Sequence, residues 1–271
     1  CWSNTGIILF SKSTKNLANF LCLYRNLVVY INLRLESIFW FMKKYKHLFF
    51  DLDRTLWDFD KNSKEAIRDL YDKHSLQLKL GVGFDEFFQE YVAINHELWA
   101  VYRMGQITKD ELRLQRFHST FRTFNYNNPG LALLFNDDYV ELCSSKSNLI
   151  PFSIEVLDYL KPNYTMHIIT NGFVEAQQVK MDNCGLAYYF DEIIVSDGLG
   201  YRKPDKRIFD YAFEKSGATA ENSIMIGDDY ESDILGAKGV GMDQIYFTQD
   251  LQKEEEATFV VDSLLEIKNI F

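Results

Sequence analysis

The feature that most constrains the fold is a series of short, uninterrupted apolar runs, each about four residues long. Most of them are followed directly by a polar cluster, and none shows the polar–apolar alternation of a half-exposed strand. Strands that are buried on both faces have this pattern, and they occur in parallel sheets covered by helices. The runs are residues 47–50, 166–169, 192–195, 223–226, 244–247 and 258–261.

Stretches with helical spacing separate these runs. Residues 152–160 precede the second run, residues 174–183 follow it, and residues 206–216 precede the fourth. Strand and helix patterns therefore alternate along the chain, which is typical of an α/β fold with a parallel sheet. We predict a doubly wound parallel sheet with a Rossmann-like core.

Residues 54–150 depart from that alternation, because they carry helical patterns only. Asn62, with Glu65 three residues later, has the spacing of a capping box and predicts that Asn62 caps a helix. A helical block of this length is unusual as a crossover, so we predict an inserted helical cap domain at residues 61–150. Residues 42–60 and 151–271 then form the catalytic core. Further helices are predicted at residues 84–104, 108–124, 131–134 and 139–143.

The segment before the first strand does not resemble the rest of the chain. The first methionine is Met42, directly ahead of that strand. Residues 17–31 are apolar but interrupted by polar residues, and they match neither a membrane helix of about 20 apolar residues nor a signal peptide. We expect residues 1–41 to be a translated upstream extension or a poorly ordered leader, and we predict no membrane partner.

Composition narrows the class of partner. The chain is 47% hydrophobic, which is enough for a full core, and its net charge is -10. Proteins that bind nucleic-acid polymers usually carry a basic face, so the acidic balance argues against such a partner. A small phosphorylated substrate remains compatible, since a bound cation and a few local donors can hold one.

The cysteines show no metal-ligand spacing. Cys1, Cys22, Cys143 and Cys184 form no CxxC pair, and none lies near a histidine at the spacing of a metal site. We predict free thiols in a reducing compartment, and therefore a cytoplasmic protein.

Polar side chains follow the apolar runs at the point where each strand ends. Asp51 and Asp53 follow the first run, Thr170 and Asn171 the second, and Asp228 and Asp229 a later one, while Lys203 precedes a helix start. Open α/β sheets bind their ligands at the carboxyl ends of the strands. We therefore expect these side chains to lie close together.

Such a cluster suits phosphoryl transfer. The carboxylates of Asp51, Asp53 and Asp228 would repel one another without a cation, and Mg²⁺ prefers oxygen ligands of this kind. Asp51 and Asp53 lie two apart and point the same way, so that one can attack phosphorus while the other handles a proton. Thr170, Asn171 and Lys203 can bind the phosphoryl oxygens.

Four short motifs occur in the same order as in a known family. They are Asp51-Leu52-Asp53-Arg54-Thr55, Thr170-Asn171-Gly172, Lys203-Pro204-Asp205 and Gly227-Asp228-Asp229-Tyr230-Glu231-Ser232-Asp233. In this order, at the ends of strands, they resemble the four motifs of the haloacid dehalogenase-like hydrolases. The resemblance spans residues 45–271.

That resemblance implies a role for each motif. By it, Asp51 is the nucleophile and Asp53 is the acid and base. Thr170 and Lys203 hold the phosphoryl group, and Mg²⁺ is bound by Asp51, Asp228 and the backbone carbonyl of Asp53. Asp229 and Asp233 are implied as supporting residues, although Asp233 is equally well placed to be a helix N-cap. The helical insertion resembles the mobile cap of that family, which closes over the substrate.

A finer resemblance surrounds the first motif. Residues 49–59 and 62–66 are similar to the pyrimidine 5′-nucleotidase branch, the YjjG-type nucleotidases, which carry an aromatic residue after the Thr55-Leu56 pair. This implies a pyrimidine nucleoside 5′-monophosphate as substrate. A stripe on the helix at 84–104 is read either as the core face of that helix or as a surface that stacks on a base. Its members are Phe84, Phe87, Phe88 and Tyr91.

Other functions remain open on the sequence. A sugar-phosphate phosphatase or a phosphomutase fits the motifs equally well. A haloacid dehalogenase needs the attacking Asp51 but neither Asp53 nor the Asp228 pair. A binding module without activity would have lost Asp51, which is present. The motifs do not predict an oligomeric state.

Overall fold

The computed structural model describes residues 44–249 and 256–271. The predicted leader, residues 1–41, lies outside the described residues. Residues 45–269 form one compact unit.

Within the described residues, six strands form a single parallel sheet in the order β3-β2-β1-β4-β5-β6. This order is that of a doubly wound Rossmann-like sheet, as the alternation of strand and helix patterns predicts. The strands are β1 (His47–Phe50), β2 (Thr165–Thr170), β3 (Glu192–Val195), β4 (Ser223–Gly227), β5 (Asp243–Phe247) and β6 (Phe259–Val261).

The helices fall into two groups. Five form the insertion after β1, and the rest precede β2 or connect the later strands. The first group is α1 (Phe59–Lys73), α2 (Leu76–Leu80), α3 (Phe84–Arg103), α4 (Lys109–Thr123) and α5 (Pro129–Ser145). The second group is α6 (Ser153–Leu160), α7 (Val174–Asn183), α8 (Lys206–Ser216) and α9 (Gly236–Gly239).

The central strands are buried on both faces. Every residue of β4 is buried, and Leu48, Phe49 and Phe50 of β1 are fully inaccessible. On one face, Phe49 and Met225 pack in a cluster with residues of α8. Covering both faces of the sheet with helices removes the apolar runs from water, which is the main source of stability for such a sheet.

The inserted helices enter and leave through two neighbouring segments. The amide of Asp58 donates to the carbonyl of Asn148 at 3.1 Å, and the amide of Ile150 donates to the carbonyl of Leu56 at 2.9 Å. Trp57 forms a bridge with Leu149. The helical block is thus tied to the sheet by residues 56–58 and 148–150.

The predicted start of the first inserted helix is wrong. Asp58 is the N-cap of α1, and its side chain accepts a hydrogen bond from the amide of Lys61 at 3.0 Å. Asn62 lies inside the helix and is buried. Its amide group instead donates to the carbonyl of Asn148 at 2.8 Å, so this polar residue joins the two connecting segments.

The prediction of two short helices after residue 130 is also wrong, because α5 is continuous from Pro129 to Ser145. Polar residues lie between the two predicted segments. Asn136, however, is buried and accepts hydrogen bonds from the guanidinium of Arg116 at 2.9 and 2.5 Å. Because its polar group is satisfied by a neighbouring helix, the residue does not interrupt α5.

The aromatic stripe of α3 is the core face of that helix. Phe84, Phe87 and Tyr91 are buried. The ring of Tyr91 stacks on Phe117 of α4 at a centroid distance of 5.1 Å, and Phe87 contacts Phe135 of α5 edge-on. The three buried rings hold the inserted helices together and are not free to meet a base, whereas Phe88 is half-buried and stacks on Phe84.

Among residues 44–249 and 256–271, no helix combines the length and the apolar character that a membrane span requires.

Candidate active site

Two acidic residues meet where the direction of winding of the sheet changes. Asp51 follows β1, Asp228 follows β4, and these strands are neighbours from which the chain winds outward in opposite directions. The amide of Asp51 donates to the carbonyl of Ile226 at 2.9 Å, which extends the pairing of β1 and β4 by one residue. Doubly wound sheets bind ligands in the crevice at this point.

Lys203 connects the acidic residues. Its ammonium Nζ donates to Asp51 Oδ1 and to Asp233 Oδ1, each at 2.6 Å, and its side chain is 2% exposed. Burial disfavours the charged lysine, but the carboxylates of Asp233 and Asp51 outweigh that effect and raise the pKa of Lys203. Lys203 is therefore a permanent positive charge beside Asp51.

Three carboxylates crowd the same crevice. Ligand oxygens of Asp51, Asp228 and Asp233 lie within 4.8 Å of one another. Burial, followed by repulsion from Asp233, raises the pKa of Asp228 to about 7, even though the hydroxyl of Thr55 donates to it at 3.0 Å. Burial is also the largest cause of the raised pKa of Asp51, and Lys203 only partly opposes it. A cluster this acidic favours binding of a cation.

Asp233 and Asp229 have roles in holding the loop after β4. Asp233 Oδ2 accepts the amide hydrogen of Asp229 at 3.1 Å, while its Oδ1 accepts from Lys203. A side chain at Gly227 would collide with the Asp233 carboxylate, which explains the glycine in this motif. Asp233 is not the helix N-cap. That position belongs to Asp229, which accepts from the amide of Ser232 at 2.8 Å.

Thr170 and Asn171 shape the loop after β2. The hydroxyl of Thr170 accepts hydrogen bonds from the amide of Gly172 at 3.1 Å and from Gln177 Nε2 at 2.6 Å. Asn171 is bound to the backbone of Lys203 in both directions, at 2.9 Å each. The second and third motifs are therefore fastened to each other, which places the Lys203 side chain next to Asp51.

Asp53 is held by residues that the motifs do not include. Lys180 Nζ donates to Asp53 Oδ1 at 2.6 Å, and Gln177 Nε2 donates to Asp53 Oδ2 at 2.8 Å. Both residues lie on α7. The sequence signal that could have identified Gln177 and Lys180 is their spacing of three on the helix after the Thr170 loop, since residues three apart share one helix face.

The inserted helices also contact this edge of the sheet. Arg103 Nη1, at the end of α3, donates to Asp229 Oδ2 at 3.0 Å. Trp99 stacks on Phe173, directly after the Thr170-Asn171-Gly172 loop, with a centroid distance of 5.3 Å. Tyr102 contacts the same ring edge-on. The sequence motifs do not identify these residues.

The structure brings the predicted residues of all four motifs into one connected network. Lys203 joins Asp51, Asp233 and Asn171, and Gln177 joins Thr170 to Asp53. Asp228 belongs to the carboxylate cluster and Asp229 is bonded to Asp233. The side chain of Asp53 is not a member of that cluster, since its oxygens are bonded to α7.

Comparison with known proteins agrees with this geometry. The profile of the haloacid dehalogenase-like hydrolases matches residues 45–241, which contain all four motifs. The chain belongs to the haloacid dehalogenase-like hydrolases.

Individual curated proteins match along nearly their whole length. Pyrimidine 5′-nucleotidase YjjG of Escherichia coli is 33% identical over 231 residues, which cover 84% of this chain and 98% of that protein. Glyceraldehyde 3-phosphate phosphatase of Methanothermobacter thermautotrophicus is 28% identical over 236 residues, covering 83% and 99%. The resemblance to the haloacid dehalogenase-like family, and to its YjjG-type members, is confirmed.

A solved structure of this hydrolase family has the same fold. The crystal structure of YfnB from Bacillus subtilis, bound to magnesium, superposes with a TM-score of 0.77 and is 27% identical. It covers 84% of this chain and 98% of its own.

Proposed function

We propose that this hydrolase is a Mg²⁺-dependent phosphatase that acts on small phosphomonoesters through a phosphoryl-aspartate. The observation that carries the proposal is the placement of a buried lysine against Asp51 at the carboxyl edge of the sheet, with Asp53 two residues away. A carboxylate beside a permanent positive charge can approach an anionic phosphoryl group, which it would otherwise repel.

The chemistry divides into two displacements. In the first, an oxygen of Asp51 attacks phosphorus, the bond to the ester oxygen breaks, and the carboxyl group of Asp53 protonates the departing oxygen. In the second, water attacks phosphorus and gives a proton to the Asp53 carboxylate. The bond between phosphorus and Asp51 then breaks, phosphate leaves, and both carboxyl groups return to their starting state.

The remaining residues bind and orient the phosphoryl group. Lys203, through its ammonium, and Thr170, through its hydroxyl, would donate to the phosphoryl oxygens, and Asn171 holds the Lys203 backbone in position. Donors fixed in advance stabilise charge that develops in the transition state without reorganising during the reaction. Asp233 supports Lys203 from behind, and Asp229 supports the loop.

The acidic cluster fits a magnesium ion. Asp51, Asp228 and the backbone carbonyl of Asp53 would hold it, while both oxygens of Asp233 are already bonded to Lys203 and Asp229. Carboxylate oxygens are the ligands that Mg²⁺ prefers, and a bound cation would offset both the burial and the repulsion from Asp233 that raise the pKa of Asp228. When bound, the ion supplies neutralising charge for the phosphoryl oxygens and the attacking carboxylate.

We also propose that the chain is divided into a cap and a catalytic core. Residues 61–150 would act as a cap over the catalytic core formed by residues 42–60 and 151–271. The paired segments 56–58 and 148–150 are suited to a hinge, because they are the two connections that tie the inserted helices to the sheet. The related YfnB structure reveals interdomain movement.

We propose a pyrimidine nucleoside 5′-monophosphate as the substrate. Support comes from the match to a pyrimidine 5′-nucleotidase along almost the whole of that protein. Trp99 is half-buried and stacks on the buried Phe173 beside the Thr170 loop, and a partly exposed aromatic ring at this place suits a flat base. We also propose a cytoplasmic location, which the free thiols of Cys143 and Cys184 support, since such thiols persist in a reducing compartment.

A sugar-phosphate phosphatase is the second candidate, and the match to a glyceraldehyde 3-phosphate phosphatase favours it. A phosphomutase would use the same four motifs. A haloacid dehalogenase is disfavoured by the chemistry of the site, because carbon–halogen hydrolysis requires neither Asp53 nor Asp228.

Phosphate release tests the proposal. The purified protein is assayed with dUMP, dTMP, glucose 6-phosphate and glyceraldehyde 3-phosphate, each with Mg²⁺ or with EDTA. We expect Mg²⁺-dependent release that is abolished by EDTA, and a kcat/KM for dUMP and dTMP at least about tenfold above that for glucose 6-phosphate, since stacking on an aromatic contributes about 1–3 kcal/mol. Activity that survives EDTA would contradict the metal dependence. Equal kcat/KM values for the nucleoside monophosphates and the sugar phosphates would be consistent with a phosphatase but would reject the preference for nucleotides.

A further inference from the structure

One face of α7 holds the carboxylate of Asp53. Lys180 Nζ donates to Oδ1 at 2.6 Å, and Gln177 Nε2 donates to Oδ2 at 2.8 Å. Each oxygen of the carboxylate therefore has its own donor. Two donors on different oxygens fix both the position of the group and the rotation of its plane.

Lys180 is a buried charge. Its side chain is 7% exposed, and its Nζ lies 4.3 Å from the ring centre of Trp57. Within the described residues, Asp53 is the one carboxylate that pairs with it. An ammonium removed from water is tolerated only with a partner, so the position of Lys180 and the position of Asp53 depend on each other.

Gln177 connects Asp53 to the loop of Thr170. Its Nε2 donates to Asp53 Oδ2 and also to Thr170 Oγ1 at 2.6 Å, and the residue is fully buried. A side chain at Gly172 would occupy the space of the Gln177 amide. The absence of a side chain at Gly172 therefore leaves room for Gln177 to reach both the Asp53 carboxylate and the Thr170 hydroxyl.

We propose that Lys180 and Gln177 are positioning residues that hold Asp53 in the orientation needed for proton transfer. This proposal rests on the proposed phosphatase function. A carboxylate has about four lone pairs, so each oxygen of Asp53 can accept one of these hydrogen bonds and still bind or release a proton. Proton transfer requires a heavy-atom distance of about 2.6–3.2 Å, and a carboxyl group free to rotate would spend little time within it.

The test uses leaving groups that differ in their need for a proton. The alkoxide expelled from dUMP or glucose 6-phosphate must be protonated, whereas p-nitrophenolate leaves readily without an acid. We expect Lys180→Met to lower kcat/KM for the alkyl phosphate about 10- to 100-fold, which is part of the 10²–10⁴-fold that general acid catalysis contributes. For p-nitrophenyl phosphate we expect a change in kcat/KM within about threefold, since only the second displacement still needs Asp53.

A burst experiment examines that second displacement. With p-nitrophenyl phosphate, the variant is expected to release about one equivalent of p-nitrophenolate rapidly and then to turn over slowly, because Asp53 no longer activates water efficiently. Gln177→Leu is expected to show the same dependence on the leaving group. It provides a second variant if Lys180→Met does not fold.

Lys206→Met is the matched control. Lys206 also pairs with an aspartate, Asp210, at 2.5 Å, but its side chain is 66% exposed. We expect its kinetics to equal those of the unaltered protein with both substrates. Circular dichroism and a thermal melt of each variant monitor the fold.

The outcomes separate this proposal from the proposed function. Equal losses with both substrates in Lys180→Met and Gln177→Leu, or no loss in either, would overturn the positioning role while the phosphatase function stands. An unaltered protein that hydrolyses neither substrate would overturn the phosphatase function itself.

Discussion

At the scale of single residues, the site is built from buried charges that are paired in a fixed pattern. Lys203 lies between Asp51 and Asp233, and Lys180 lies against Asp53. Removing one member of such a pair leaves the other charge buried and uncompensated, which costs about 3–5 kcal/mol. Substitutions that keep the shape of the side chain are therefore the informative ones.

Asp51→Asn tests the attacking group. The amide keeps the size of the carboxylate and can still accept a hydrogen bond from Lys203, but it cannot attack phosphorus. We expect turnover of dUMP and of p-nitrophenyl phosphate to fall by about 10⁴-fold or more, with the circular dichroism spectrum unchanged. Asp210→Asn, at an exposed position, serves as the control. A variant that retains more than about 1% of the original rate would remove Asp51 from this role.

Asp228 and Asp229 are adjacent but should differ in their relation to the metal. Asp228 belongs to the carboxylate cluster, whereas Asp229 caps the following helical turn and pairs with Arg103. We expect Asp228→Ala to raise the Mg²⁺ concentration needed for half-maximal activity far more than Asp229→Ala does. Titration of activity with Mg²⁺ after EDTA treatment measures this. Equal shifts in the two variants would argue against Asp228 as a ligand.

At the scale of elements, the insertion meets the core through side chains at the end of α3 and the start of α4. Trp99 and Tyr102 contact Phe173, and Lys109 of α4 donates to Asp197 at 2.7 Å and to Glu175 at 2.9 Å. The buried aromatic stripe of the same helix α3 packs instead against α4 and α5, inside the insertion. One helix thus holds the insertion together and also presents aromatic side chains to the edge of the sheet.

Trp99→Ala tests whether that aromatic surface recognises the base. We expect kcat/KM for dUMP to fall about 5- to 100-fold, since stacking on an aromatic contributes about 1–3 kcal/mol per base. Hydrolysis of glucose 6-phosphate, which has no base, should change much less. Tyr188→Ala, at a ring that is 75% exposed, is the control. A parallel loss with both substrates would mean that Trp99 acts through the position of α3 and not through the base.

At the scale of the whole molecule, a pair of histidines lies toward the amino ends of the strands, away from the acidic edge. His47 Nδ1 and His167 Nε2 are 3.0 Å apart, and the two rings stack. His167 is 1% exposed, and its Nδ1 has no hydrogen-bond partner within the described residues. Burial, followed by repulsion from His47, lowers the pKa of His167 to about 4, while Asp191 opposes the shift.

This lowered pKa predicts how folding stability depends on pH. Above pH of about 6.5, His167 is neutral in both the folded and the unfolded chain and contributes no pH dependence. Below that value the unfolded chain binds the proton first, so the free energy of unfolding decreases as the pH falls toward about 4. The full loss is about 3 kcal/mol, since each pKa unit corresponds to 1.36 kcal/mol.

Urea unfolding at pH 7 and at pH 5 measures this effect. We expect His167→Phe to lose about 2 kcal/mol less than the unaltered protein between these two values, because the substituted ring cannot be protonated. His96→Phe, at an exposed position of α3, is the control. An identical pH dependence in His167→Phe and the unaltered protein would reject His167 as a source of acid sensitivity.

Much of the fold could be predicted from local patterns, and the failures were local as well. The six predicted strand runs match the six strands within one residue at each end. The start of α1 was misplaced because Asp58 competes with Asn62 for the cap, and only the contact with Asn148 shows where Asn62 is used. The break predicted within α5 failed for a similar reason, since Asn136 finds its partner, Arg116, on another helix.

The sequence by itself determined the class of fold, the order of strand and helix, the residues of the four motifs and the family. The fold class and the order of elements follow from hydrophobic periodicity, and the family follows from the resemblance of the four motifs to those of the haloacid dehalogenase-like hydrolases. Only the tertiary structure decided which side chains bind one another: Lys203 with Asp233, Lys180 and Gln177 with Asp53, and Trp99 with Phe173. Most of these contacts join residues far apart in the chain. Hydrophobic periodicity specifies which face of an element is buried, whereas the partner across that face is selected by packing and by the need to compensate every buried charge.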